Sequence, residues 1–194
     1  ADGTISSAKI ADDAVTSAKL DTNIAVSGNL DVGTIRSANG TTAATIDSSG
    51  RILQPAKPIF FAQGGTDSWQ AAGSAATITT WGVGTNTAIN REFTYSNGVI
   101  TFPVAGVYEI SAATLTETNA GEHVILKIKH GSVVLRSAQM NQLDSGRSQN
   151  HLHISAMCNA AAGDTVSITV QGGGSSAQYY MNSNYAHFSV KLIG

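Results

Sequence analysis

Apolar and polar residues alternate with a period of two along much of the second half of the chain, the spacing of β-strands with one buried face. Small polar residues and glycines interrupt the alternation at short intervals, as turns between strands do. The pattern predicts strands at Ile59–Ala62, His123–His130, Val133–Leu135, His151–Cys158, Thr165–Val170 and Ala186–Ile193. We therefore expect an all-β fold of the sandwich class.

The clearest local signal lies between residues 93 and 115. Asn97-Gly98 separates two short apolar runs, and because both residues tolerate positive φ, the pair predicts a two-residue hairpin turn. A second turn follows, after which Tyr108, Ile110 and Ala112 share one strand face. These signals predict a three-strand meander with one apolar side.

The amino-terminal part contains a short repeat. Ser7–Ile10 returns ten residues later as Ser17–Leu20, and larger apolar residues recur every five positions. One copy of such a segment cannot bury its apolar residues, and a self-similar array buries them against other copies. We expect residues 1–57 to form a shaft that intertwines with other chains, and residues 58–194 to form a head.

Composition narrows the classes of partner. Charged residues make up 12% of the 194 residues and the formal net charge is -2, far from the basic excess that nucleic acid attracts. No apolar run approaches the roughly 20 residues of a membrane span, so membrane insertion is not expected. The one cysteine, Cys158, allows no intrachain disulfide. Abundant small residues with few prolines favour short strands over helices.

Several motifs of the head resemble the globular head of complement component 1q, a ten-strand jelly roll shared with the tumour necrosis factor ligands. The matching segments occur in the family's order: Gly98–Pro103, Ala105–Tyr108, Ala162–Val166 and Phe188–Gly194. The resemblance spans about Pro58 to Gly194. It implies a ten-strand jelly-roll head and a threefold assembly, in which the first, closing and neighbouring strands of one sheet face the axis.

Two segments of the amino-terminal part resemble the shafts of bacteriophage tail fibres. These are Asn29–Gly33 and Ile46–Ile52, short apolar alternations interrupted by glycine. In such shafts three chains wind together before a globular tip. The chain also begins without methionine, so we expect a fragment or processed product of a longer fibre protein. Both halves of the chain thus predict a homotrimer.

His151 and His153 are the strongest candidates for a metal site. Residues two apart on a strand share a face, so both imidazoles should point away from the core side that carries Leu152 and Ile154. At a threefold axis six imidazoles would converge, and imidazole suits zinc, iron or nickel. A His-x-His pair also resembles a pattern at phage fibre axes. The alternative is a pair of surface histidines with ordinary hydrogen bonds, and no other cofactor is expected.

An aromatic and amide-rich segment near the carboxy terminus is the candidate receptor site. Aromatic faces stack on sugar rings and amides bond hydroxyl groups, and Gly172–Gly174 nearby suggests an exposed loop. The site residues are Tyr179, Tyr180, Asn182, Asn184 and Tyr185. The alternative is that these tyrosines pack a subunit interface. Trp69 and Trp81 admit the same two interpretations, with burial favoured.

Catalysis finds little support in the sequence. Asp144 and Glu92 lack a carboxylate partner at motif spacing, Glu122-His123 lacks a second histidine, and no nucleophile elbow or phosphate-binding loop occurs. Cys158 should be an inert, buried thiol. We predict no catalytic residues and a protein that is not an enzyme.

These patterns together predict a structural and adhesive virion protein. We expect a trimeric tail-fibre tip that acts outside the cell, binds a host-surface glycan or protein, and joins other virion proteins through its amino-terminal side. A trimeric decoration or head-fibre protein, whose head mainly drives trimerisation, is one alternative. A polysaccharide-cleaving tailspike is the alternative of another class.

Overall fold

The computed structural model describes residues 33–36, 40, 42–83, 88–143 and 146–194. All regular elements in these residues are β-strands, which confirms the all-β class. The chain divides into two compact units, residues 1–53 and 54–194. The repeat at residues 5–20 and the predicted alternation at 30–32 lie outside the described residues, so their intertwining stays a prediction.

The first unit contributes a three-stranded antiparallel sheet. Its strands are β1 (Thr34–Arg36), β2 (Thr42–Ile46) and β3 (Ile52–Leu53), in the order β1-β2-β3. The Asp47 carboxylate closes the turn after β2, where it accepts the backbone N–H groups of Ser49 and Arg51, each at 2.9 Å. Ile35, Ile52 and Leu53 are about half exposed or more, so this sheet leaves apolar side chains uncovered.

The second unit is a two-layer sandwich. The strands of the second unit are β4 (Ile59–Gly64), β5 (Trp69–Ala71), β6 (Ala76–Thr77), β7 (Trp81–Gly82), β8 (Ile89–Arg91), β9 (Thr94–Ser96), β10 (Val99–Thr101), β11 (Gly106–Thr118), β12 (His123–His130), β13 (Val133–Asn141), β14 (Ser148–Ala160), β15 (Thr165–Gly173), β16 (Gln178–Tyr180) and β17 (His187–Leu192). The described part of the unit thus holds more than the ten strands expected, because short strands such as β6 and β7 add to the sheets.

One layer is a six-stranded sheet and the other an eight-stranded sheet. The six-stranded sheet runs β13-β12-β15-β10-β9, with β6 also paired to β15. The eight-stranded sheet runs β5-β16-β11-β17-β4-β7, with β14 paired to β11 and β8 paired to β4. Every described pairing is antiparallel.

The core lies between these two sheets and takes alternate residues from both. The six-stranded sheet contributes Leu126 and Ile168, and the eight-stranded sheet contributes Phe60 and Ile110, all fully buried. Tyr108 is also fully buried, and its hydroxyl donates to the Val104 carbonyl at 2.8 Å, so its polar atom is satisfied. Burial of these alternate side chains is the main stabilising contribution to the sandwich.

The hairpin predicted at Asn97-Gly98 is confirmed, but the three-strand meander is wrong. Asn97 and Gly98 adopt φ of 47° and 79°, and β9 pairs with β10. The next strand, β11, instead joins the other sheet and pairs with β14, β16 and β17. Phe102 lies between β10 and β11, where the chain passes from one sheet to the other, and its side chain is 1% exposed within the core.

The glycine run at 172–174 is only partly the exposed loop that was expected. Gly172 and Gly173 complete β15, and only Gly174 lies beyond it. A Cβ on Gly172 would lie 1.7 Å from the Ala72 carbonyl oxygen, so a side chain at residue 172 cannot fit without backbone movement. Close backbone approach therefore explains this glycine within a strand.

We expect Gly172→Ala to destabilise the head by about 1–3 kcal/mol, the usual cost of overpacking. Gly73→Ala is the matched control, because a Cβ there meets nothing within 4 Å. Urea unfolding of both variants measures the difference. Equal stability of the two variants would contradict the close approach of β15 to Ala72.

Candidate functional site

The side of the eight-stranded sheet that faces away from the core is called here the outer face. Its side chains alternate with buried ones such as Phe60, Ile110, Ile154 and Phe188. By this alternation and the strand register, the outer face carries Ile59, Phe61, Gln63, Trp69, Glu109, Ser111, Ala113, Leu115, His151, His153, Ser155, Met157, Tyr180, His187, Ser189 and Lys191.

The outer face has the properties of an association surface. Small residues, among them Ser111, Ser155 and Ser189, occupy its centre. Glu109 and Lys191 neutralise each other through an ion pair of 3.0 Å. Met157 is 68% exposed although it is apolar. A sparsely charged face with uncovered apolar area marks an interaction site in many proteins.

Three histidines lie on this face, and two of them come together. His153 and His187 lie in register on either side of Ala113, and Ala113 is only 1% exposed although it belongs to the outer face. The Nε2 atoms of His153 and His187 lie 3.5 Å and 3.2 Å from the Ser111 hydroxyl, with ring centroids 5.9 Å apart. His151 Nε2 lies 2.7 Å from the Tyr185 carbonyl oxygen.

The structure therefore places both predicted metal ligands on the outer face but gives them different partners. His153 shares Ser111 with His187, a residue that the sequence did not single out, whereas His151 reaches the segment after β16. Across the described residues, no three or more histidine, cysteine, aspartate or glutamate side chains form a group able to hold a metal ion. A metal bound by His151 and His153 stays a prediction.

His187 favours its neutral form. Burial lowers the pKa of this imidazole below its ordinary value of 6.5, and the nearby His153 and His151 lower it further. Phe61 stacks on the ring with a centroid distance of 6.3 Å. The Ser111 hydroxyl has one hydrogen to donate, so at most one of its two imidazole neighbours accepts a hydrogen bond from it.

Three aromatic rings form a second cluster at the β5–β16 end of the outer face. Trp69 pairs in register with Tyr180, and their ring centroids lie 4.9 Å apart. Tyr185 adds a third ring, 5.9 Å from Tyr180. Tyr185 is 44% exposed, and Trp69 and Tyr180 are partly exposed. Partly exposed aromatic side chains that combine an apolar ring with a polar group are enriched in recognition sites. We call Trp69, Tyr180, Tyr185, Asp67 and Asn182 the aromatic cluster.

Asp67 and Asn182 supply the polar part of the aromatic cluster. Asp67 Oδ1 accepts hydrogen bonds from the Tyr180 hydroxyl and from Asn182 Nδ2, the latter at 2.6 Å. These two donors hold the pKa of Asp67 below its ordinary value, with the tyrosine contributing most. No local sequence pattern points to Asp67, because it lies 113 residues from Tyr180.

The predicted receptor residues divide between two environments. Tyr180, Asn182 and Tyr185 belong to the aromatic cluster. Asn184 lies beside the cluster on an exposed turn, and its backbone N–H donates to Asn182 Oδ1 at 2.7 Å. Tyr179 points to the other side of β16 and packs against the hydrophobic core, where burial raises its pKa. Tyr179 is therefore not brought together with the others.

Trp81 and Cys158 are structural residues. Trp81 is 5% exposed, as expected, whereas Trp69 is only partly buried. Cys158 packs partly buried against the core opposite Tyr108, and burial raises the pKa of its thiol, so it is a poor nucleophile.

Within the described ranges, no helix has the length and apolar character needed to cross a membrane.

The depressed pKa of His187 predicts a pH dependence of stability. Below pH 6.5 the unfolded chain binds a proton at this residue more readily than the folded protein does. The contribution of His187 to the free energy of unfolding is therefore complete above pH 6.5 and decreases as the pH falls toward the folded pKa. Carboxylates with lowered pKa, such as Asp67, lose their contributions only near and below 3.8.

We expect His187→Gln to flatten the loss of stability between about pH 7 and pH 5, since glutamine does not titrate. Urea unfolding of the wild type and the variant across this interval measures the two slopes. The assignment is wrong if both proteins lose stability with the same slope.

Comparisons with known proteins support the fold. No protein-family model matches the sequence, and no curated protein matches it. Among solved structures, the Eiger tumour necrosis factor of S. frugiperda superposes with a TM-score of 0.57 at 12% identity, and the match covers 71% of this chain and 93% of that protein. This likeness supports a jelly-roll fold of the complement component 1q and tumour necrosis factor type, as the sequence motifs predicted.

Proposed function

We propose that this chain is a trimeric phage tail-fibre protein whose jelly-roll head binds a host-surface receptor, a glycan or a protein. The observation that carries the proposal is the exposed aromatic cluster at the edge of a sparsely charged sheet face. The cluster supplies a recognition site, and the outer face supplies a surface on which copies of the chain associate. Its place of action would be the virion, outside the host cell.

Self-association follows from side chains that one copy leaves uncovered. The outer face exposes Met157 and presents the Phe61 ring beside small serines, and the first unit exposes Ile35, Ile52 and Leu53. Closed cyclic symmetry allows both sets to be covered by the same residues of other copies. The likeness to a tumour necrosis factor agrees with three copies about one axis.

Three copies of a weak site would act together. The aromatic cluster lies where β16 pairs with Leu115, Thr116 and Glu117 of β11, beyond the stretch of β11 that pairs with β17. It can therefore border an interface formed by β4, β17 and β11 without lying at its centre. Simultaneous engagement of three such sites raises avidity without any new contact.

The first unit would connect the head to the rest of the particle. Its short strands and exposed apolar residues suit a shaft in which three chains share the burial that one chain cannot achieve. Other virion proteins would join on this side. The proposed axial metal would use His151 and His153 of each copy, and elemental analysis of the purified assembly tests it.

We expect Ser189→Arg to convert the trimer to single chains. Ser189 lies in register between Ser111 and Phe61 near the centre of the outer face, so three added charges would meet there without partners. Ser137→Arg is the matched control, because Ser137 is exposed on β13 of the other sheet. Analytical ultracentrifugation measures the mass of each variant, and circular dichroism checks that the fold is retained.

A wild-type protein that sediments as a well-folded single chain would contradict the threefold assembly. A trimer that survives Ser189→Arg would place the interface elsewhere. Loss of the trimer in Ser137→Arg alone would move it to the six-stranded sheet.

Adsorption to cells tests the receptor site. The labelled protein should bind some members of a panel of bacterial strains, and Trp69→Ala or Tyr185→Ala should weaken binding about tenfold or more, the loss typical of a central aromatic contact. Leu143→Ala, which truncates an apolar side chain that is 89% exposed elsewhere on the head, should bind as the wild type does.

Two other outcomes would redirect the assignment. A stable trimer that adsorbs to no strain and does not compete with infection would favour the decoration or head-fibre alternative. Shortened chains after incubation with envelope polysaccharide would identify a tailspike enzyme.

A further inference from the structure

We infer that the aromatic cluster takes an uncharged glycan and rejects acidic ones. This inference rests on the proposed receptor-binding function and names the chemical class of its ligand. It follows from the position and ionisation of one carboxylate, Asp67, beside the three rings.

Two hydrogen bonds hold the Asp67 carboxylate in place. Both the Tyr180 hydroxyl and Asn182 Nδ2 donate to its Oδ1 atom. In the described part of the chain, no hydrogen bond to the other oxygen, Oδ2, is present, and the side chain is exposed. A fixed carboxylate with one unused oxygen is a ready acceptor for sugar hydroxyl groups, with little ordering cost on binding.

The three rings of the aromatic cluster provide a surface on which a sugar can stack. The ring centroids of Trp69 and Tyr180 lie 4.9 Å apart, and the Tyr185 ring also lies beside Tyr180 and extends the aromatic surface. Such rings present apolar faces to the C–H groups of a pyranose, while Asp67 accepts its hydroxyl hydrogens. The combination of a compact ring surface and a hydroxyl acceptor favours a glycan over an extended protein surface.

The aromatic cluster carries the negative charge of Asp67. Asp67 is ionised near neutral pH, since its two donors favour the charged form. Among the residues that the structure describes, no ion pair to a lysine or arginine neutralises it. A carboxylate or phosphate on the ligand would therefore meet a like charge within hydrogen-bonding range, which opposes binding.

Matched sugars test the inference directly. Isothermal titration of the full-length protein with oligosaccharides of galactose and of galacturonic acid compares ligands that differ mainly in charge. We expect the neutral series to bind about tenfold more tightly or better. Asp67→Asn should weaken neutral binding, because it replaces a strong acceptor, and should narrow the preference between the two series.

Glu92→Gln is the control variant, since it removes one exposed negative charge without touching the aromatic cluster. It should keep the wild-type preference. A preference that falls equally in Glu92→Gln and Asp67→Asn would assign the selectivity to the overall charge and overturn the role of Asp67. Tighter binding of the acidic series by the wild type would overturn the inference outright.

Cell adsorption distinguishes this failure from failure of the proposed function. Adsorption that depends on Trp69 and Tyr185, together with no binding of any neutral glycan in a broad array, would reject the uncharged glycan and retain the receptor site. Adsorption unaffected by Trp69→Ala and Tyr185→Ala would reject the site itself. Dissociation of the trimer by Trp69→Ala would show that the rings pack an interface and would also reject it.

Discussion

The two-residue period of β11 is the constraint on which the rest of the head depends. One set of its side chains, including Tyr108 and Ile110, is sealed into the core, so the alternate set must face outward. β11 pairs with β14 on one edge and with β16 and β17 on the other. A slip of one residue would therefore disrupt the core and scatter both the histidines and the aromatic cluster.

Local pattern was sufficient to predict much of the sandwich. The alternation around His123–His130 gave that strand with its observed bounds, and Asn97-Gly98 gave the hairpin because turn chemistry is local. The sheet to which β11 belongs could not be predicted in this way, because a turn signal does not indicate which sheet the next strand joins. Gly172 was misinterpreted as part of a loop for a related reason. A glycine is needed there because the Ala72 backbone approaches closely, and Ala72 lies a hundred residues away in sequence.

The candidate sites show the same division. Reasoning along one strand correctly put His151 and His153 on a common face, because their spacing fixes it. It could not identify His187, which reaches Ser111 from a strand that closes the fold, or Asp67, which meets Tyr180 and Asn182 only through tertiary packing. Side chains assembled from three separate parts of the chain carry no spacing signal, and the register of the sheet is needed to find them.

The hydrogen bond between His151 and the Tyr185 backbone links the histidines of the outer face to the aromatic cluster. A carbonyl oxygen can only accept, so His151 Nε2 must carry the hydrogen, and the ring orientation on β14 is tied to the segment that bears the Tyr185 ring. Displacing that segment breaks this bond, and so does turning the imidazole. If Tyr185 lies in a receptor site and His151 in a subunit interface, as proposed, then receptor binding and trimer formation are thermodynamically linked, and each changes the equilibrium constant of the other by the same factor.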